Sequence, residues 1–150
     1  MAEAVTGIEH WTTKPGDLRL FLWEKYAGAT PADKRGTILF IHGSSMASQP
    51  TFDLQVPGRP ELSVMDAFAR AGYDCWCLDN EGYGRSAKHR DIIYDIACGA
   101  DDIAAAADYI EKTRAAGPLL VYGISSGALK AALYAQRHPG RVRRLALDAF

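Results

Sequence analysis

Apolar residues in this chain come in short runs, each closed by a stretch rich in glycine, proline or charge. The first clear run is "LRLFLWEKY", Leu18 to Tyr26, whose alternating aliphatic and aromatic residues predict a strand. The turn signal Lys14-Pro15-Gly16-Asp17 stands just before it and pairs it in a hairpin with the segment around Ile8 to Thr12. After the polar loop "GATPADKRG" comes "TILFIHG", Thr37 to Gly43, a continuous apolar run that predicts a strand buried on both faces. Ser44 to Pro60 carries Pro50, Pro57 and Pro60 and predicts irregular chain. Val64, Met65, Phe68 and Ala69 then share one face of a short helix, with Gly72 where a C-cap belongs. "YDCWCLD" is the next buried strand and "NEGYGRS" its loop. Ile96 to Arg114 predicts a helix with Ile103, Ala106, Ala107 and Ile110 as its apolar stripe. "LLVYGI" is a strand, Ser126 to Arg137 a helix, Pro139-Gly140 a stop, and "VRRLALDAF" a last strand.

From Thr37 onward strands and helices alternate, which implies an α/β class fold. Its sheet is mainly parallel with helices on both faces, and the N-terminal strands are antiparallel. Ligands of such sheets bind where loops leave the carboxyl ends of the strands. Three glycine-bearing segments stand at those ends: "HGSS", "DNEGYGRS" and "GISSG".

Composition narrows the picture only a little. At 150 residues the chain fits one domain with a real core. With 48% hydrophobic residues, 23% charged residues and a net charge of -1, it reads as a folded soluble protein with no nucleic-acid partner. The basic clusters Lys88-His89-Arg90 and Arg137 to Arg144 read as a solvated loop and a helix end. No basic-then-apolar leader opens the chain, and no apolar run approaches bilayer length, so no membrane partner is expected and the cytoplasm is the default compartment. Cys75, Cys77 and Cys98 lack disulfide-framework or zinc spacing; the first two share a strand face as small buried hydrophobes.

The chemistry concentrates in Gly123-Ile124-Ser125-Ser126-Gly127, a Gly-x-Ser-x-Gly between an apolar strand and an alanine-rich helix. This is the pattern of a nucleophile elbow, in which a strained backbone lifts the serine hydroxyl clear of the sheet. Gly123 and Gly127 are needed because side chains there would collide with neighbouring backbone. The N–H of Ser126, at the positive end of the helix, can face the oxygen that becomes negative when Ser125 attacks an acyl carbon. His42-Gly43 ends a buried strand. Gly43 lets the chain bend so that the N–H of Ser44 supplies a second donor, with Ser45 as the alternative, while His42 takes a structural hydrogen-bonding role rather than that of a base.

Together these segments resemble the α/β-hydrolase fold superfamily. "TILFIHGSS" resembles its oxyanion-hole strand, "CLDNEGYGRS" its Asp-x-x-Gly-x-Gly-x-Ser loop and "VYGISSGALKAAL" its nucleophile elbow; "RHPGRVRRLALDAF" resembles the approach to its sixth strand. The match runs from about Arg19 to Phe150 and keeps the family's motif order. A serine at the elbow resembles the esterase, lipase, acyltransferase and carbon–carbon hydrolase branches, not the dehalogenase and epoxide-hydrolase branches, which place aspartate there.

The resemblance implies that residues 1–150 are the N-terminal portion of a single hydrolase domain, ending near its sixth strand. It implies a serine hydrolase acting on a small-molecule acyl substrate, with no cofactor and no metal. The base, and with it the acid, is expected from a C-terminal part, so the chain alone is expected to be inactive. His10, His89 and His138 read as surface residues. Asp148, near the end of the last strand, is the candidate acid, its alternative being a carboxylate that caps local backbone. Asp79 occupies a loop position the family uses structurally. The alternatives are a binding protein on the hydrolase scaffold, or an acyltransferase or carbon–carbon hydrolase using the same site. Gly82-x-Gly84-x-x-Ala87 formally meets a dinucleotide fingerprint, but the polar "SAKHRDIIYD" follows where a helix must begin. Met46, Phe52 and Leu54 are candidates either for an acyl pocket or for surface packing.

Overall fold

A computed structural model describes residues 3–31 and 35–150. The middle of the polar loop expected after Tyr26, residues 32–34, lies outside the described residues. The strands are β1 (Val5–Lys14), β2 (Leu18–Ala27), β3 (Thr37–Ile41), β4 (Asp74–Leu78), β5 (Leu119–Ile124) and β6 (Val142–Asp148). The helices are α1 (Ser48–Phe52), α2 (Val64–Arg70), α3 (Ile96–Arg114) and α4 (Ser126–Arg137). Six strands form one sheet in the order β1-β2-β4-β3-β5-β6. β1 and β2 pair antiparallel, as do β2 and β4, whereas β3, β4, β5 and β6 run parallel. The hairpin forms as expected but is longer, with Val5 opposite Ala27 and Lys14 opposite Leu18.

The central strands are mostly apolar because each face meets helices. Leu39 and Ile41 of β3, Trp76 and Leu78 of β4 and Val121 of β5 pack on Ile103, Ala106, Ala107 and Ile110 of α3 and on Ala131 and Tyr134 of α4. Ile38, Phe40, Cys75 and Cys77 point the other way, onto Phe52, Met65 and Ala69. Removing one such aliphatic side chain from water is worth about 1.5–3 kcal/mol, so these two layers dominate the stability of the fold.

The structure corrects the reading of two segments. Ser44–Pro60 is not wholly irregular: α1 forms within it, and a single 3-10 turn, Pro60–Leu62, follows. Phe52 is part of the core against Phe40 and Tyr122, while Met46 and Leu54 are exposed. In α2 the buried residues are Met65, Asp66 and Ala69, and Val64 and Phe68 are exposed at 39% and 42%. Asp66 is buried because Lys25 reaches it from β2, a partner that no helical periodicity could reveal. The basic clusters have local partners: Arg90 with Glu81, Arg137 with Asp101, and Arg141 with Asp108 and Glu111.

Candidate active site

The loops at the carboxyl ends of β3, β4 and β5 meet in space because those strands are adjacent and parallel. Ser125 lies between β5 and α4 at φ 55°, ψ -127°, a region that L side chains rarely adopt. It occupies the N-cap position of α4, yet its side chain makes no capping hydrogen bond. Serine at that position ordinarily caps, a bond worth about 1 kcal/mol, so the hydroxyl forgoes its usual partner and is presented to solvent. The turn is held by Ser125 N–H donating to the Asp148 carbonyl at 2.9 Å and by Ala128 N–H donating to the Ser125 carbonyl at 2.9 Å.

The surrounding glycines are required by contact rather than flexibility. A Cβ on Gly123 would stand 2.4 Å from the Gly127 carbonyl oxygen, and one on Gly127 would stand 2.4 Å from the Ile41 oxygen and 2.5 Å from the His42 oxygen. Gly43 faces the serine itself, with 3.1 Å from its hypothetical Cβ to Ser125 Cβ and 3.5 Å to Oγ. The chain following β3 therefore runs directly alongside the Ser125 side chain. Ser44 and Ser126 are joined across this gap by their hydroxyls at 2.9 Å. Ser126 and Gly127 open α4, where N–H groups have no intrahelical acceptor.

His42 is fully buried and bonded on both ring nitrogens. Nδ1 lies 2.6 Å from the Gly43 carbonyl, and Nε2 lies 3.0 Å from the backbone N–H of Asn80. The carbonyl can only accept and the N–H can only donate, so the ring is neutral with its proton on Nδ1. Burial pulls the imidazole below its ordinary pKa, against the opposing pull of the Gly43 carbonyl. A ring so occupied has no nitrogen free to take a proton from Ser125.

The other histidines stand apart from Ser125. His10 is bonded to Glu24 and Tyr109, His138 follows α4 and stacks on Tyr134, and His89 is exposed in the loop before α3. Asp148 has its carboxylate on the Tyr122 hydroxyl and its carbonyl on Ser125 N–H. Asp79 accepts from Ser48 N–H, the Ser48 hydroxyl and Arg85 N–H, which ties α1 to the loop after β4. Gly84 adjoins that carboxylate so closely that a Cβ would meet Oδ2 at 2.1 Å, which explains the glycine without any dinucleotide. The helix a dinucleotide site needs is absent at this point: α3 begins only at Ile96.

Sequence comparison places the chain. The family model described as serine aminopeptidase, S33 (Hydrolase_4) matches residues 32–149. The chain belongs to this family. No curated protein matches it in sequence. Among solved structures, a CIB-like hydrolase from Thermoplasma acidophilum is 20% identical with a TM-score of 0.71, over 96% of this chain and 63% of that one. A bacterial membrane phospholipase A, described as a virulence factor, is 28% identical with a TM-score of 0.67, over 95% of this chain and 39% of that one. Epoxide hydrolase A from Mycobacterium thermoresistibile is 25% identical with a TM-score of 0.68, again over 95% and 39%. The chain thus has the α/β-hydrolase fold and spans less than two thirds of these relatives. Among the described residues, no helix is long and apolar enough to cross a membrane.

The motif segments were legible in the sequence, but the polar shell behind them was not. Asn80 and Tyr83 from the loop after β4, Asp102 from α3 and Lys130 from α4 come together beside the Gly43–Ser44 turn. One sequence signal for them existed: a lysine inside the alanine stripe "ALKAAL".

Proposed function

We propose that this chain carries the nucleophile and oxyanion donors of a serine hydrolase that cleaves an ester, thioester, amide or similar acyl bond. The observation that carries the reading is the Ser125 hydroxyl, exposed on a strained turn and released from helix capping. A histidine from a C-terminal part takes the Ser125 proton as Oγ bonds to the acyl carbon. The carbonyl electrons move onto oxygen, where the N–H groups of Ser44 and Ser126 hold the charge. The C–O, C–S or C–N bond to the leaving group breaks as the histidine returns the proton to it. Water, deprotonated in turn, releases the acid and restores Ser125. The cycle calls on no cofactor or metal.

Two features support serine chemistry over other uses of the scaffold: the residue at the elbow is serine, and Gly43 adjoins it where the donor of Ser44 is needed. Family membership supports hydrolysis. Asp148 remains the proposed acid only in competition with its structural use, since Tyr122 already occupies its carboxylate.

The test is labelling of the full-length natural protein with a fluorophosphonate, followed by peptide mapping. A covalent adduct on Ser125, lost in Ser125→Ala, is expected. A full-length protein whose Ser125 stays unlabelled would instead be a binding protein on the hydrolase scaffold.

A further inference from the structure

Lys130 is out of place on α4. The helix is lined with Ala128 and Ala131 where it meets the sheet, yet Lys130 between them is only 3% exposed. Burying an ammonium is costly unless it is hydrogen-bonded. A second helix is adapted to it: at Gly99, in the first turns of α3, a Cβ would stand 2.4 Å from Lys130 Cδ and 2.5 Å from Cγ. Glycine within a helix costs about 0.5–1 kcal/mol relative to alanine, so α3 gives up stability to make room for this stem.

The ammonium reaches the underside of the active-site turn. Nζ donates to the side-chain oxygen of Asn80 at 3.3 Å and lies 5.7 Å from the Tyr83 ring centroid and 5.2 Å from that of Tyr94. On its other side Asn80 donates from Nδ2 to Asp102 at 3.2 Å, so cation and carboxylate together fix which way the amide points. Asp102 also takes the N–H of Glu81 at 2.9 Å and the Tyr94 hydroxyl at 2.6 Å, which pins the residues after β4.

The chain continues upward from there. The backbone N–H of Asn80 occupies Nε2 of His42, which leaves Nδ1 to donate to the Gly43 carbonyl. In a trans peptide the C=O and N–H point oppositely, so holding the Gly43 oxygen fixes the direction of the Ser44 N–H. Tyr83, whose ring lies tilted against that of His42 with centroids 4.7 Å apart, donates to the Ser44 carbonyl at 2.8 Å and fixes the following peptide as well.

We propose that Lys130 is a positioning residue: through Asn80, Tyr83 and the tautomer of His42 it orients the Ser44 N–H as an oxyanion donor. This rests on the serine-hydrolase reading for its consequence, but the tautomer relay stands independently of it. The charged and titratable groups facing His42 are Lys130 from α4, Asp102 from α3, and Asp79 and Tyr83 from the loop after β4. Of these, Lys130 opposes a second proton on the ring, whereas Asp79 and Asp102 favour it.

The test uses Lys130→Met in the full-length natural protein, a substitution that keeps an unbranched stem against Gly99 and removes the donor and charge. Nitrogen–proton correlation spectra of the His42 ring are expected to show a single Nδ1–H tautomer in the unsubstituted protein. In Lys130→Met a mixture of tautomers is expected, with the protonation midpoint raised, because the cation that opposes a second proton on the ring is gone. With a p-nitrophenyl ester, kcat should fall about tenfold at nearly constant KM, as expected when an oxyanion donor is loosened rather than deleted. If Lys130→Met does not fold, Gly99→Ala, which displaces the stem without removing the charge, should produce the same tautomer mixing. A His42 ring unchanged in the variant that folds overturns the proposal. If Ser125 resists the fluorophosphonate, the hydrolase reading falls, and the His42 spectra still decide the relay.

Discussion

Gly127 and Ile41 touch backbone to backbone: a Cβ on Gly127 would lie 2.4 Å from the Ile41 carbonyl oxygen. This contact presses the first turn of α4 onto the end of β3 and so brings the Ser125 turn beside Gly43. Neither side can yield as a flexible side chain could. Gly127→Ala should therefore destabilise the protein by about 1–3 kcal/mol, the usual cost of overpacking, read as a lower urea midpoint at unchanged slope. Fluorophosphonate labelling of the folded fraction should fall as well, because helix and strand must separate. A midpoint equal to that of the unsubstituted protein would show that the contact relaxes freely.

Strain at Ser125 leads to a prediction of opposite sign. Its backbone conformation costs on the order of 1–3 kcal/mol for a residue with a side chain, and glycine adopts it freely. Ser125→Gly should raise stability by about 1 kcal/mol in urea titration, after the greater entropy of glycine in the unfolded chain is set against the relief. The same variant should lose all fluorophosphonate labelling. A destabilised Ser125→Gly would mean that the turn is not strained.

A pH dependence follows from the opposite end of the sheet. Asp74, at the start of β4, is buried beside Glu24 and accepts from Trp76 Nε1 at 2.8 Å. Burial, together with the neighbouring Glu24 charge, pushes its pKa up to about 7, while Glu24 is held down by His10 and Arg114. The folded protein thus keeps a proton that the unfolded chain releases near the ordinary carboxylate value of 3.8. The stability tied to that proton is fully present below about 4 and declines as pH rises toward about 7. Asp74→Asn mimics the protonated carboxyl. It should therefore lose less stability than the unsubstituted protein between pH 5 and pH 8, by about 2–3 kcal/mol in paired urea titrations. Parallel losses in the two proteins would place the proton elsewhere.

The last prediction concerns β6, which forms one edge of the sheet. Leu145 and Leu147 are 37% and 38% exposed and Phe150 is 72% exposed. An apolar groove of about 290 Å³, lined by Ile38, Phe40, Phe68, Tyr122 and Leu145, opens beside them. An unpaired strand edge with apolar neighbours templates association. The 150-residue chain should show a concentration-dependent sedimentation coefficient, and Leu145→Lys should shift it toward the monomer. A monomer at all concentrations would show that this edge is protected.

The extent of the sequence's reach differs between elements for physical reasons. Local periodicity and turn residues located β2, α3 and β5 nearly to the residue, because an apolar stripe or run is a property of neighbouring positions. The Gly-x-Ser-x-Gly spacing marked the turn at Ser125 because the clash at Gly123, with the Gly127 carbonyl, lies within five residues; the clash at Gly127, with the Ile41 and His42 carbonyls at the end of β3, does not. The sequence could not show α1, whose Ser48 and Phe52 are placed by Asp79 from the loop after β4 and by Phe40 from β3. Nor could it show that Asp66 is buried by Lys25, or that His42 is occupied on both nitrogens. Lys130 beneath the Ser44 turn, and Gly99 making way for it, belong to the same class. Each of these depends on which side chains meet across elements far apart in the chain, and only the packed tertiary structure decides that.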